Sequence, residues 1–307
     1  MRILVVGAGA VGGYFGGRLV EKGEDVTFLV RERRKQQLHL HGLNIESVHG
    51  NMNLKPQTLL FGEKAEPFDV IIFSTKAYHL NGAIDSIRPY ASDQTMILPL
   101  LNGIAHIEKL IEAFGEERVI GGLCFIETTL DEDGRVLQKS TAHDLVYGER
   151  NGEKTERILK LQEALSGTNA NFRLSEDIIQ EMWHKYLFIT TISGVTSLFR
   201  SPSGPICEQT LGLQTIKKVL NETIRIMTAI GAPLSDQVEE VQLKRVYDLG
   251  YNFKSSLQRD MEKQLPVEAD HFFGYLLKQA QGYGIHAPAL ETVYANLKIY
   301  ETSLQTK

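Results

Sequence analysis

With 307 residues, the chain is long for one compact core and short for three, so two domains are the first expectation. Its 42 % hydrophobic and 23 % charged residues, with 27 Gly and 9 Pro, exclude collagen-like, low-complexity and largely disordered classes. A net charge of −5 gives no electrostatic case for a nucleic-acid partner or an anionic membrane. The two cysteines, Cys124 and Cys207, are far apart, which argues against a disulfide scaffold or a Cys-based zinc site. No pair among the nine His has metal-ligand spacing with a nearby acid, so no metal is expected. The uncharged stretch Ile3–Gly17 is glycine-studded, lacks a signal-peptide cleavage region and is shorter than the roughly 20 apolar residues of a membrane span. A soluble, cytoplasmic protein is expected.

The first half alternates short apolar runs with amphipathic stretches, the pattern of a doubly wound parallel α/β sheet. Arg2–Gly7 reads as a strand buried on both faces, and Val11–Lys22 as a helix closed by Gly23. Further strands are expected at Asp25–Val30, Asp69–Ser74 and Thr95–Leu101, with helices near Tyr78–Tyr90 and Ile104–Phe114. Val119–Cys124, Phe125–Leu130 and Val136–Ser140 are strand-like, and Asp131–Gly134 makes a hairpin turn. These predict an antiparallel extension of the sheet. A helix at Lys154–Leu165 and a strand at Asn171–Leu174 end this half.

From Ser175, an expected N-cap, everything reads helical: Ile178–Phe199, Leu211–Ile230, Asp236–Leu249, Glu268–Gly282 and Pro288–Thr302. The turn Ser201–Pro205 separates the first two. The expected architecture is α/β plus all-α, a Rossmann-type domain over 1–174 and a helical domain over 175–307.

Gly7-Ala8-Gly9-Ala10-Val11-Gly12 is G-x-G-x-x-G directly after a buried strand and opening a helix, the context a dinucleotide-binding turn requires. The first glycine permits the turn, the second lets pyrophosphate approach, and the third lets helix and strand lie close. The alternative is a glycine-rich turn that binds nothing. Against it, Gly12, Gly13, Gly16 and Gly17 each cost about 1 kcal/mol in a helix, which implies close packing against that face. The second strand ends in Arg31, followed by Glu32, Arg33 and Arg34, with no acid at the strand end. Guanidinium groups there suit the 2′-phosphate of NADP(H). Arg33 and Arg34 could instead begin a solvated helix, and Glu32 could rotate inward to serve NAD.

Taken with Ser74-Thr75-Lys76, Leu101-Asn102-Gly103, Met182-Trp183-His184-Lys185, Lys254-Ser255-Ser256-Leu257 and Glu268-Ala269-Asp270, this loop makes the chain resemble the ketopantoate reductase family over nearly its whole length. The resemblance implies NADPH-dependent reduction of 2-dehydropantoate to (R)-pantoate, in pantothenate and coenzyme A biosynthesis. It also implies an active site in the cleft between a Rossmann and a helical domain, and a homodimer. Lys185 matches the family's general acid; on residues alone, an i,i+4 ion pair with Glu181 is the better reading, and the motif match reverses that preference. Asn102 matches a residue that positions substrate and cofactor, against a plain Asn-Gly turn. Lys76 matches a cofactor-side lysine, Ser256 a substrate-carboxylate ligand, and Glu268 the acceptor of the substrate hydroxyl. Their plain alternatives are a surface lysine, a helix cap and a solvated helix start.

Family members often carry Asn four and eight positions after the catalytic lysine; here those positions are Ile189 and Ser193. Losing a buried hydrogen bond costs about 1–3 kcal/mol. Ile189 makes the pocket more apolar, while Thr190 or Ser193 could compensate. Two other readings follow. One is a D-2-hydroxyacid dehydrogenase of the same superfamily acting on a branched or aromatic 2-keto acid. The other is a non-catalytic NADPH-binding sensor.

Overall fold

Arg2–Val6 carries four consecutive buried residues, as a strand covered on both faces should. In the computed structural model, which describes residues 1–305, that strand is the centre of a parallel sheet. The chain divides into two compact units, Met1–Leu101 with His106–Ile178, and Asn102–Ala105 with Ile179 onward.

Unit 1 runs β1 (Arg2–Val6), α1 (Ala10–Lys22), β2 (Asp25–Val30), α2 (Glu32–His41), β3 (Leu43–Ser47), β4 (Met52–Leu54), β5 (Gln57–Leu60) and β6 (Phe68–Phe73). It continues through α3 (Leu80–Ile87), β7 (Ala91–Pro99), α4 (Ala105–Phe114, which begins at the unit boundary), β8 (Gly121–Leu130), β9 (Val136–Gly148), α5 (Glu156–Leu165) and β10 (Asn171–Leu174). The first sheet has the order β5-β2-β1-β6-β7 with every pair parallel, which puts a topological switch point between β1 and β6.

The expected antiparallel extension is corrected by the structure. β8 and β9 form a hairpin in a second, five-stranded sheet, where β9 also pairs parallel with β3 and β10, and β3 pairs antiparallel with β4. Helix α1 explains the arrangement, because its glycines meet both sheets. A Cβ on Gly16 would stand 2.7 Å from Phe28 of the first sheet, and one on Gly17 2.6 Å from Ile45 of the second. The same division holds one turn earlier, where Gly12 faces Val5 and Gly13 faces Val136. Strand Arg2–Gly7, in the sequence reading, stops at Val6, and Ser175 is not a simple N-cap. Its Oγ accepts the Asp177 N–H at 3.1 Å while the helix begins at Ile178.

Unit 2 holds α6 (Ile178–Phe199), α7 (Ser203–Glu208), α8 (Thr210–Ala229), α9 (Val238–Tyr247), α10 (Ser256–Glu262), α11 (Tyr275–Gly282) and α12 (Pro288–Gln305). The expected turn Ser201–Pro205 runs into α7, with Pro205 tolerated in its first turn. Just before α11, Asp270–Gly274 winds as one turn of π-helix. Helix α6 is apolar around most of its circumference, as a helix at the centre of a bundle must be. Other helices close on it through polar contacts. The Gln242 Nε2 donates to the His184 carbonyl at 3.2 Å, and the Thr196 and Ser255 hydroxyls bond at 2.8 Å. The buried Glu222 of α8 accepts the Ala289 and Leu290 N–H groups at 3.1 and 2.9 Å, capping the positive end of α12. Among the described residues no helix is long and apolar enough to cross a membrane.

Candidate active site

The glycine turn leaves β1 at the switch point of the first sheet. Gly7 sits at φ +91°, in the left-handed region, and donates its N–H to the Leu29 carbonyl at 3.0 Å. Ser74, at the end of β6, pins the turn from the other side, its Oγ donating to Val6 O at 3.0 Å and Gly7 O at 3.3 Å. Gly12 is packed against that pin: a Cβ there would lie 2.1 Å from Ser74 Oγ and 2.2 Å from Gly7 O.

Gly9 is different. It caps α1 without any side-chain hydrogen bond, no acidic residue occupies the first turn, and a Cβ there would meet nothing within 4 Å. The unsatisfied N–H groups of the first turn therefore lie beside open space, the arrangement that receives an anion. Thr75 Oγ1, buried beside Gly7, has no partner among the described residues. These features fit the pyrophosphate of a dinucleotide. Gly13, Gly16 and Gly17 no longer bear on it, since the protein's own two sheets fill the space they leave.

At the end of β2, Arg31 is exposed at the N-cap of α2, and Glu32 accepts from Gln36 of its own helix at 2.9 Å. Arg34 turns the other way. Its Nε donates to the Ala8 carbonyl at 3.0 Å, so it braces the glycine turn, and burial lowers its pKa. Of the three arginines, Arg31 and Arg33 stay exposed. His79 follows β6, with its pKa lowered by partial burial and by the charge of Arg31. Lys76 is half-buried at the start of the 3-10 turn Ala77–His79. Two surface cavities of unit 1 are lined by neither the glycine turn nor Arg31, Lys76 or His79. One of about 460 Å³ lies beside Arg34, His41 and Arg135, and one of about 680 Å³ beside Lys22, Asp69 and Lys160.

Unit 2 gathers the residues expected to handle substrate. Lys185 on α6 is only 6 % exposed, a setting lysine reaches seldom. Its neighbours on either side are structural. His184 Nε2 accepts the Ser235 N–H at 3.1 Å, and Tyr186, fully buried, donates its hydroxyl to the Phe272 carbonyl in the π-turn. Burial pushes the Tyr186 phenol well above its ordinary value, so it remains a donor. One turn beyond Lys185, Ile189 is half-buried. Ser193, two turns beyond, is 3 % exposed. Thr190 Oγ1, fully buried, lacks a partner among the described residues.

Ser256 opens α10 and is exposed, while its neighbour Ser255 is the cap, accepting the Gln258 N–H at 3.1 Å. The capping alternative thus falls to Ser255. Glu268 is half-buried two residues before the first residue of the π-turn, and its carbonyl accepts the Phe272 N–H at 3.1 Å. Asn102 follows β7 in sequence, yet it belongs with the helical unit. His271 of the π-turn bonds through Nε2 to the Asn102 carbonyl at 2.6 Å. Asn102, Lys185, Ser193, Ser256 and Glu268 are therefore carried by one unit, and Gly7–Gly12, Arg31 and Lys76 by the other. Sequence reasoning missed His271 and the bonds by which Ser74 and Arg34 hold the glycine turn. Ser74 and Arg34 stood within motifs, whereas nothing local pairs His271 with a residue so far back in the chain.

Comparison with known proteins agrees with this division. Residues 3–152 match the family described as "Ketopantoate reductase PanE/ApbA", and residues 177–301 match "Ketopantoate reductase PanE/ApbA C terminal". A Bacillus subtilis protein described as "Uncharacterized oxidoreductase YkpB" is 45 % identical over 301 residues, covering 98 % of this chain and 99 % of its own. The crystal structure of 2-dehydropantoate 2-reductase from Geobacter metallireducens superposes with TM-score 0.87 at 28 % identity, covering 97 % of this chain and 99 % of that one. The ternary structure of D-mandelate dehydrogenase with NADH and anilino(oxo)acetate has the same fold, with TM-score 0.87 at 22 % identity and coverage of 99 % and 100 %. The chain is an oxidoreductase and belongs to the ketopantoate reductase family.

Proposed function

We propose that the protein reduces a 2-oxo acid to the (R)-2-hydroxy acid with NADPH, and that 2-dehydropantoate is its substrate, which places it in pantothenate and coenzyme A biosynthesis. The observation that carries this reading is the buried Lys185 on a unit that also holds Asn102, Ser256 and Glu268. The first turn of α1 would hold the phosphates of NADPH and Arg31 its 2′-phosphate, and the bound cofactor would supply the hydride. Lys76 serves the cofactor side. As charge develops on the ketone oxygen, the Lys185 Nζ stabilises it and delivers the proton that completes the alcohol. Ser256 holds the substrate carboxylate, Glu268 accepts the hydroxyl of 2-dehydropantoate, and Asn102 and Ser193 orient the molecule.

A second reading, an apolar or aromatic 2-oxo acid as substrate, is favoured by Ile189, half-buried one helical turn from Lys185. One structural relative is a D-mandelate dehydrogenase. NADPH oxidation by the purified protein, with 2-dehydropantoate beside a panel of branched and aromatic 2-oxo acids, separates the two. Turnover confined to 2-dehydropantoate is the expected result; preference for an apolar acid establishes the second reading. Lys185→Ala should lower kcat by about 10²–10⁴-fold, the usual weight of a positioned acid. A variant with unchanged kcat would remove Lys185 from the mechanism.

A further inference from the structure

We infer that His271 is a positioning residue that holds Asn102 in place for the reaction; this rests on the role of Asn102 in the function proposed above. The main-chain carbonyl of Asn102 accepts from His271 Nε2 at 2.6 Å, a short and well-formed bond. The next residue makes the contact specific. Gly103 sits at φ +82°, and a Cβ there would lie 3.1 Å from the same Nε2, so the loop and the ring approach as closely as a glycine allows.

His271 reaches the loop because its segment is a π-turn. The extra residue per turn in Asp270–Gly274 shifts side chains out of α-helical register, a feature frequent at functional sites. The same turn is tied to α6, where Tyr186 beside Lys185 donates to Phe272 O, and to Glu268, whose carbonyl accepts the Phe272 N–H at 3.1 Å. One irregular turn thus joins the segments bearing Lys185, Glu268 and Asn102. The bond also sets the tautomer, since Nε2 must carry the proton to donate to a carbonyl.

The test is a double-mutant cycle with His271→Phe and Asn102→Ala, and His271→Gln as the conservative variant, since its amide places a donor close to the position of Nε2. Two readouts are used: kcat/KM for 2-oxo acid reduction and the dissociation constant of NADPH. His271→Phe should lower kcat/KM about 10–100-fold, as loss of one hydrogen bond at a site does, with His271→Gln restoring activity to within a few fold. In the Asn102→Ala background, His271→Phe should change little, because the loss has already occurred. Fold-losses that multiply, or a His271→Gln variant as impaired as His271→Phe, would overturn the inference and leave His271 a packing residue. If the wild-type protein reduces no 2-oxo acid, the proposed function fails; the cycle on NADPH binding then decides the inference by itself, non-additive losses supporting it and additive or absent effects overturning it.

Discussion

A methyl group at Gly12 would stand 2.1 Å from Ser74 Oγ, whereas one at Gly9 would meet no atom within 4 Å. The two glycines therefore serve different ends, although the motif spells them alike. Gly9→Ala, at a φ of −81° that alanine adopts freely, should leave the thermal midpoint within a degree or two. Its methyl would occupy the space that the proposed function gives to phosphate at the first turn of α1, so the NADPH dissociation constant should rise at least tenfold. Gly12→Ala should instead cost about 2–4 kcal/mol of stability, because the carbonyl of Gly7 and the hydroxyl of Ser74 must both move. Thermal melts paired with fluorescence titration of NADPH check both. A Gly9→Ala protein that binds NADPH normally would remove the pyrophosphate from this turn. At this scale the sequence was informative about the loop and less so about the arginines. Arg31 and Arg34 look equivalent in the run Arg31-Glu32-Arg33-Arg34, yet three residues of helix turn Arg34 through most of a revolution, onto the Ala8 carbonyl.

Elements were legible where burial imposes one period over enough residues. Helix α6 was read from Ile178 to Phe199, and β2 with its observed ends, because long apolar runs between clear breakers leave one solution; β10, only four alternating residues, was read with its observed ends as well. The strands β3, β4 and β5 escaped notice; they are three to five residues long and half-buried, β3 and β5 pair with strands distant in sequence, and β4 pairs with β3. The π-turn escaped for a similar reason, being set by tertiary bonds rather than by local propensity. His184 gives an element-scale prediction. Its Nε2 accepts the Ser235 N–H, so the ring must be neutral there, and burial, then Arg245, lowers its pKa. A depressed histidine contributes stability that is present above its unfolded value, about 6.5, and is lost as pH falls toward the folded one. The thermal midpoint should therefore fall between pH 7 and pH 5.5. His79 and His143 are depressed as well, so His184→Asn should flatten part of that slope, not all of it. An unchanged slope in the variant would mean that His184 does not titrate in this range.

Across the whole molecule, the division of labour between units is not where the chain order puts it. The Asn102–Ala105 segment lies between two elements of the Rossmann unit in sequence, and a reader places Asn102 at the carboxyl edge of the sheet with the cofactor residues. Compactness assigns it instead to the helical unit, and the bond from His271 gives the reason. Residues far apart in sequence are brought together here by one ring and one glycine, which no local pattern announces. Native-state hydrogen exchange can test this assignment. Local openings follow cooperative units, so amides of one unit share an opening free energy. The amides of Asn102, Gly103 and Ile104 should exchange with α6 and the π-turn rather than with β6 and β7. In His271→Phe, their protection should fall sharply while that of β1 and β6 stays as it was. NADPH should raise protection first at Gly7–Gly13 and at the ends of β2 and β6, because a ligand stabilises most directly the segments that hold it. Protection of Asn102–Ile104 that tracks β7 in every state would return the loop to the Rossmann unit. The substrate-side residues would then no longer be carried by a single unit, and the position of Asn102 would depend on the sheet instead of on His271.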